Sequence, residues 1–267
     1  MAARIWAALL LCAAQGKRCQ SSSLERIMEK KMVDIHCHIL PAVDDGAKTW
    51  EVAVQMCQMA LADGIEHIVA TPHANDEFRY DRELLAGLLS ELSKRTGGKP
   101  RLSLGCDFHL SFDNFKDVLG SPERYVISGT HYLLVELSDY SVPPAVTTNL
   151  SKLISIGICP IITHPERNPV LRRNPGRVLE WVKQGCLVQV TANSMTGRWG
   201  DEARAVSEWL MKREAVHVLA SDAHGLRSRP PLLSEARASA ERIVGTAAAA
   251  ALVQSNPAAI VAGKSLH

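Results

Sequence analysis

The chain has 267 residues, 46% hydrophobic and 22% charged, with 30 Lys and Arg against 28 Asp and Glu for a formal net charge of +2. That length and apolar content suffice for a sizeable core and exclude a disordered or fibrous chain. The charge balance argues against a dedicated nucleic-acid binder. Seven scattered cysteines, never spaced CxxC, argue against a disulfide framework or zinc knuckle and for a reducing, cytoplasmic compartment.

In chain order, MAARIWAALLLCAAQGKRCQ comes first. Arg4 precedes an apolar run over 5–14, the length of a secretory h-region and too short to span a bilayer. The polar SSSLERIMEKK follows, and Met32 opens the strand-like Met-Val-Asp-Ile-His. Residues 1–31 are therefore read as an extension outside the fold, an upstream start or vestigial signal, and residues 32–267 as one domain. The extension holds six basic and two acidic residues, which leaves the domain at −2. No later run approaches 18 uncharged apolar residues, so no membrane span is expected.

Strand 33–38 is followed by helix 50–63, with Val52, Met56, Met59 and Ala60 on one face and Gly64 at its end. Strand 67–71 precedes helix 81–95, which repeats Leu at 84, 85, 88, 89 and 92 and stops at Gly97-Gly98. Strands 102–107 and 132–137 come next, then helix 149–155 ending at Gly157. Strand 159–164, helix 175–184 ending at Gly185, strand 187–191, helix 202–212 and strand 217–222 complete the alternation. The tail adds helices 232–244 and 246–254 and a last turn capped by Asn256-Pro257. Gly just past a helix is the expected left-handed cap. Repeated strand–helix units mean parallel strands with right-handed crossovers, in an open sheet or a closed barrel.

Each strand delivers a polar or ionisable group at or just past its C-terminal end, where parallel α/β folds build active sites. Strand one ends in His36-Cys37-His38, followed by Asp44-Asp45-Gly46; strand two leads to Thr71-Pro72-His73. Asp107 ends strand three, Glu136 lies in strand four, and strand five runs into His164-Pro165-Glu166-Arg167. Strand six ends Thr191-Ala192-Asn193, and strand seven Ser221-Asp222-Ala223-His224. His36 and His38, two apart on a strand, share a face. Five His and four carboxylates converging on one mouth imply cations, since buried they are costly unless coordinated. Mixed His and carboxylate ligation suits Zn, Mn or Fe, and nine candidates exceed the needs of one ion. Asp44 competes with Asp45 as a ligand or caps the following helix. His67 and His217 lie away from the mouth and are read as structural or exposed; His109 gains no role from its spacing.

The run MVDIHCHILPAVDDGA at 32–47, with Thr71-Pro72-His73, ITHPER at 162–167 and ASDAH at 220–224, resembles the polymerase-and-histidinol-phosphatase (PHP) superfamily. Within it, the chain is most similar to bacterial capsule-associated, manganese-dependent protein-tyrosine phosphatases, over residues 32–263. The resemblance implies a distorted (β/α)7 barrel, TIM-barrel-like, with a trinuclear centre. One ion would be held by His36, His38, Asp107 and Asp222, a second by Asp107, Glu136 and His164, and a third by Asp45, His73 and His224. The bridging position, usually Glu in the family, is Asp107 here, one methylene shorter. Arg167 and Arg229 match positions expected to contact phosphate, where a guanidinium grips two oxygens at once. Alternatively, Arg167 pairs with Glu166, and Arg229 lies in an exposed loop before Pro230-Pro231.

The implied reaction is hydrolysis of phosphotyrosine monoesters by a hydroxide bridging two ions, with two or three Mn ions, or Fe, Zn or Mg in their place. The implied partner is a phosphotyrosine protein, a bacterial tyrosine autokinase controlling capsule or exopolysaccharide synthesis. Alternatives are a small-molecule phosphomonoesterase of the histidinol-phosphatase type, a phosphodiesterase or nuclease, and a non-catalytic metal-binding regulatory module. The phosphodiesterase is disfavoured because 32–267 holds no basic run. A cysteine nucleophile needs an Arg six residues on. Cys37 has Val43 there, and only Cys12 meets the spacing, with Arg18, in the segment placed outside the fold.

Overall fold

A computed structural model of the chain describes residues 31–266. Residues 1–30, with the apolar run and the Cys12–Arg18 pattern, and His267 lie outside the described residues. The first elements are β1 (Met32–Cys37), α1 (Trp50–Asp63), β2 (Ile65–Ala70), β3 (His73–Ala74), α2 (Arg82–Arg95), β4 (Arg101–Leu104), β5 (Asp107–His109) and α3 (Phe112–Gly120). Then come β6 (Tyr132–Glu136), α4 (Ala145–Ser155), β7 (Cys159–Thr163), α5 (Pro169–Arg173), α6 (Gly176–Lys183), β8 (Leu187–Thr191) and α7 (Ala192–Met195). The remainder is α8 (Asp201–Met211), β9 (Val218–Ala220), α9 (Ser234–Val244), α10 (Thr246–Val253) and α11 (Ser255–Val261).

One sheet runs β1-β2-β4 and the other β3-β5-β6-β7-β8-β9, every pairing parallel. β3 resumes β2 after Thr71-Pro72, and β5 resumes β4 after Gly105-Cys106, so the nine described segments trace seven strand paths. The breaks remain stitched: Thr71 N donates to Cys37 O at 3.0 Å, Gly105 N to Ala70 O at 2.8 Å, and Asp107 N to Pro72 O at 3.1 Å. The ring closes between the first and last strands, where Asp222 N donates to His36 O at 2.8 Å and His38 N to Ala223 O at 2.9 Å. The fold is a distorted (β/α)7 barrel.

Buried Asp34 reinforces that seam, accepting from Ser221 N at 3.0 Å and from Ser221 Oγ. Burial raises the Asp34 pKa to about 6 despite the Ser221 bonds. Inside the ring, Val33, Ile35, Val69, Leu134, Ile161, Val218 and Ala220 pack together, joined by Tyr132 and by Ile260 of α11. Residues from opposite strands meet only in the interior, so this cluster is the floor beneath the polar mouth. Tyr132 Oη donates to Lys264 O at 2.7 Å below it. A larger apolar layer, including Trp181, Phe108, Leu133 and Met56, fills the space between strands and helices.

α1 shows how local sequence sets these boundaries. Thr49 Oγ1 accepts from Val52 N at 3.3 Å, and Gly64 closes the helix at φ 96°. Three short helices escape the sequence pattern. α3 has nine residues, α5 five and α7 four, the last two too short for a 3.6-residue period to register. Among the described residues, no helix is long and apolar enough to cross a membrane.

Candidate metal centre

The C-terminal ends of the strands form the mouth, and all nine candidate ligands reach it. His36 and His38 bring their Nε2 atoms to 3.2 Å of each other, as their spacing on β1 predicts. Each ring is fixed from behind. His36 Nδ1 lies 3.0 Å from Gln189 Oε1, and His38 Nδ1 lies 2.7 Å from Asp44 Oδ2. Both partners present acceptor oxygens, so each Nδ1 donates outward and each Nε2 faces the centre.

The close donor atoms form three overlapping groups: His38, Asp45, His73 and His224; His36, His38 and Asp107; and His73, Asp107 and Glu136. Asp107 Oδ2 sits 3.4 Å from His36 Nε2, 4.0 Å from His38 Nε2 and 3.2 Å from His73 Nδ1. These are approaches of charge without hydrogen-bond alignment, since both Asp107 oxygens, His73 Nδ1 and His224 Nε2 are buried without a hydrogen-bond partner. Asp45 Oδ1 spans His73 Nε2 at 3.4 Å and His224 Nε2 at 3.2 Å. Glu136 lies 3.7 Å from His73 and 3.8 Å from His164. His38 and His73 thus each belong to two groups, more entangled than the partition the resemblance implies. His164 and Asp222 stand outside all three, His164 reached through Glu136 and Asp222 lying 3.3 Å from His36 Nε2 and 3.5 Å from His38 Nε2.

Orphaned lone pairs on buried, mixed imidazole and carboxylate donors are the chemistry of a divalent-cation centre. Electrostatics agree. Burial opposes a charged His36, but Asp107 and Asp222 outweigh it and lift its pKa to about 9. Burial and the neighbouring His224 lower His38 to about 4. Burial also opposes ionisation of Asp107, yet His36 and His73 hold it well below the usual carboxylate range. His164 and Asp222 both adopt positive φ, 34° and 50°, at the ends of β7 and β9. Strained backbone of this kind concentrates where a side chain must be aimed.

Arg167 and Arg229 converge on Asp222. Arg229 Nη2 lies 2.5 Å from Asp222 Oδ2, and Arg167 Nη1 donates to the same oxygen. The alternative Arg167–Glu166 pair does not form: Glu166 is buried and accepts from Thr191 N at 3.0 Å and Ser194 Oγ at 2.8 Å. Nor is Arg229 a free loop residue, since its Nε also donates to Asp222 O at 3.2 Å. Asp44 falls in none of the three donor groups, and it does not cap α1, the cap being Thr49. It accepts from His38 and from Gly46 N at 2.9 Å. Cys37 is buried in the barrel wall, and burial pushes its thiol pKa well up.

His67 bonds Ser103 Oγ at 2.7 Å and His217 Nδ1 accepts from Val188 N at 3.1 Å, both structural as expected. Sequence reasoning missed Gln189, Asp34 and His109. The first two left a signal, as single polar residues inside apolar strands. His109 reaches Glu136 at 3.6 Å because β5 resumes beyond the break at Cys106.

Comparison with known proteins agrees with this geometry. The family model for capsular polysaccharide synthesis, CpsB/CapC, matches residues 32–262. The putative tyrosine-protein phosphatase CapC of Staphylococcus aureus is 33% identical over 208 residues, 76% of this chain and 81% of that protein. The tyrosine-protein phosphatase YwqE of Bacillus subtilis is 32% identical over 74% of this chain and 79% of its own length. A crystal structure from the work on YwqE and Streptococcus pneumoniae CpsB, described as unique metal-dependent tyrosine phosphatases, superposes with TM-score 0.82. Its identity is 30%, and the match covers 88% of this chain and 96% of that one. The phosphotriesterase homology protein of Escherichia coli, at TM-score 0.57 and 13% identity over 86% of this chain and 98% of that one, shares the fold alone. A barrel of this topology, with a cation-ready mouth and a match across nearly all of residues 32–262, places the chain in the CpsB/CapC family of the PHP superfamily.

Proposed function

We propose that the chain is a divalent-metal-dependent protein-tyrosine phosphatase that hydrolyses phosphotyrosine monoesters, with residues 32–267 as the phosphatase domain. The observation that carries this reading is the buried, hydrogen-bond-free Asp107 carboxylate among His36, His38 and His73, with two arginines on Asp222, whose other oxygen lies 3.3 Å from His36 Nε2. His36, His38, Asp45, His73, Asp107, Glu136, His164, Asp222 and His224 would hold two or three divalent ions, with Mn as the proposed metal and Fe, Zn or Mg as alternatives. Bound divalent cations supply Lewis acidity toward phosphoryl oxygens and make water a competent nucleophile at neutral pH.

The chain's own residues do the rest. Gln189 and Asp44 hold the Nδ1 sides of His36 and His38, so both Nε2 atoms are aimed at the cation site. Arg167 and Arg229 orient the phosphoryl group and spread the charge that grows on its oxygens in the transition state. A tyrosyl leaving group, with a pKa of about 10, asks less proton assistance than an alkoxide. The similarity to CapC, YwqE and CpsB supports a phosphotyrosine protein as substrate, and the capsular-polysaccharide family supports a tyrosine autokinase of capsule or exopolysaccharide synthesis. Five free cysteines among the described residues support a reducing, cytoplasmic setting.

The test is hydrolysis of a phosphotyrosine peptide, histidinol phosphate and a phosphodiester, each with Mn and after chelation. Preference for the peptide, lost on chelation and restored by Mn, is the expected result. Preference for histidinol phosphate, or activity that survives chelation, overturns it.

A further inference from the structure

We propose that Trp199 is the positioning residue for the two arginines, its indole face holding the Arg167 and Arg229 guanidiniums together at the barrel mouth, a role that rests on the phosphatase activity proposed above. The Arg167 guanidinium carbon lies 4.2 Å from the Trp199 ring centre and that of Arg229 lies 5.7 Å from it. Arg167 follows β7, Trp199 follows β8 and Arg229 follows β9, so the ring stands between the two arginines in barrel order.

The segment carrying Trp199 is itself anchored to the site. Arg198 N and Trp199 N donate to Asn193 O at 2.9 and 3.4 Å. The Asn193 side chain donates to Ser228 O at 3.1 Å, the residue before Arg229. Asn193, in α7 just past β8 and with no role in the ligand set, thus couples the indole loop to the Arg229 loop. Gly197 and Gly200, at φ 82° and 87°, make the tight turns that present the ring.

Two guanidiniums side by side repel, and here both lean on the one Asp222 carboxylate. A cation held by that carboxylate would weaken its hold on them. The aromatic face, electron-rich and uncharged, is then the neighbour that keeps both forks aimed inward until a phosphate arrives. Pre-aimed guanidiniums bind phosphate without first losing side-chain freedom.

The test uses the full-length, Mn-loaded protein with Trp199→Leu, Trp199→Ala and Trp199→Phe. It reads kcat and KM on a phosphotyrosine peptide, the calorimetric dissociation constant for inorganic phosphate, and bound Mn. The Leu and Ala variants are expected to raise KM and the phosphate constant roughly tenfold, with kcat within about threefold, and the Phe variant to stay near wild type. Bound Mn should be equal in all four proteins. Wild-type phosphate affinity in the Leu variant, equal impairment of Leu and Phe, or Mn loss in step with the affinity loss each overturn the role. Should Leu and Ala fail to fold, Trp199→Tyr and Trp199→Met repeat the aromatic-against-aliphatic contrast. A wild-type protein that binds phosphate but leaves the peptide uncut removes the proposed activity, while the phosphate constant still judges Trp199.

Discussion

A buried carboxylate with no hydrogen-bond donor on either oxygen is stable only beside a compensating positive charge. Asp107 is such a group, and its neighbours His36, His38 and His73 arrive from two other strand paths. Asp107→Asn keeps the shape and removes the charge. It should lower bound metal and cut phosphatase activity on the order of a hundredfold or more, read by metal analysis and peptide hydrolysis. Gln189 acts one step back, through His36 Nδ1. Gln189→Leu should weaken cation affinity by roughly tenfold to a hundredfold; unchanged affinity in a competition titration would refute its part in orienting the ring. The same histidine fixes a pH dependence. Its pKa in the folded chain is about 9 against an ordinary 6.5, so protonation favours the folded state. That contribution is complete below about 6.5 and vanishes as pH rises through about 9. The thermal midpoint of the chelated protein should therefore fall across that window, and fall less in His36→Gln.

At the scale of elements, the loop after β1 decides how two ligands meet. A Cβ added to Gly46 would lie 2.1 Å from His38 O and 2.5 Å from His38 Cβ, an overlap the backbone must move to relieve. The third residue of Asp44-Asp45-Gly46 is thus what lets the loop close onto β1, with Asp44 behind His38 and Asp45 facing His73. Gly46→Ala should destabilise the protein by about 1–3 kcal/mol in denaturant titration and loosen cation binding as well. Every strand path and the longer helices were legible in sequence, because continuous apolar runs such as 159–163 and Leu-periodic runs such as 84–92 carry their own period. The breaks at Thr71-Pro72 and Gly105-Cys106 were not, since a pause in a strand path leaves no periodic trace. At the site, residues whose chemistry is local to a strand end were readable. The roles of Trp199 and Gln189 were not, even though Gln189 stands out as a polar residue in an apolar strand, because they depend on Arg229 and His36, residues 30 and 153 positions away.

For the molecule as a whole, cation binding and folding share one free energy. A cation that binds only the folded barrel stabilises it by about 2.7 kcal/mol at a hundred times its dissociation constant. The thermal midpoint should climb with Mn concentration in the wild type and stay flat in Asp107→Asn. Where the cluster lies in the ring gives this coupling a second meaning. Its members sit on both sides of the seam between β1 and β9, with His36 bonded to Asp222 and His38 to Ala223 across it. A ribosome makes His36 long before Asp222, and 185 residues must emerge between them. The cation pocket is therefore complete only once the circle shuts, so metal-dependent protection reports a finished barrel. Nascent chains halted before β9 should stay susceptible to protease whether or not Mn is present, whereas chains released after α11 should become resistant once Mn is added.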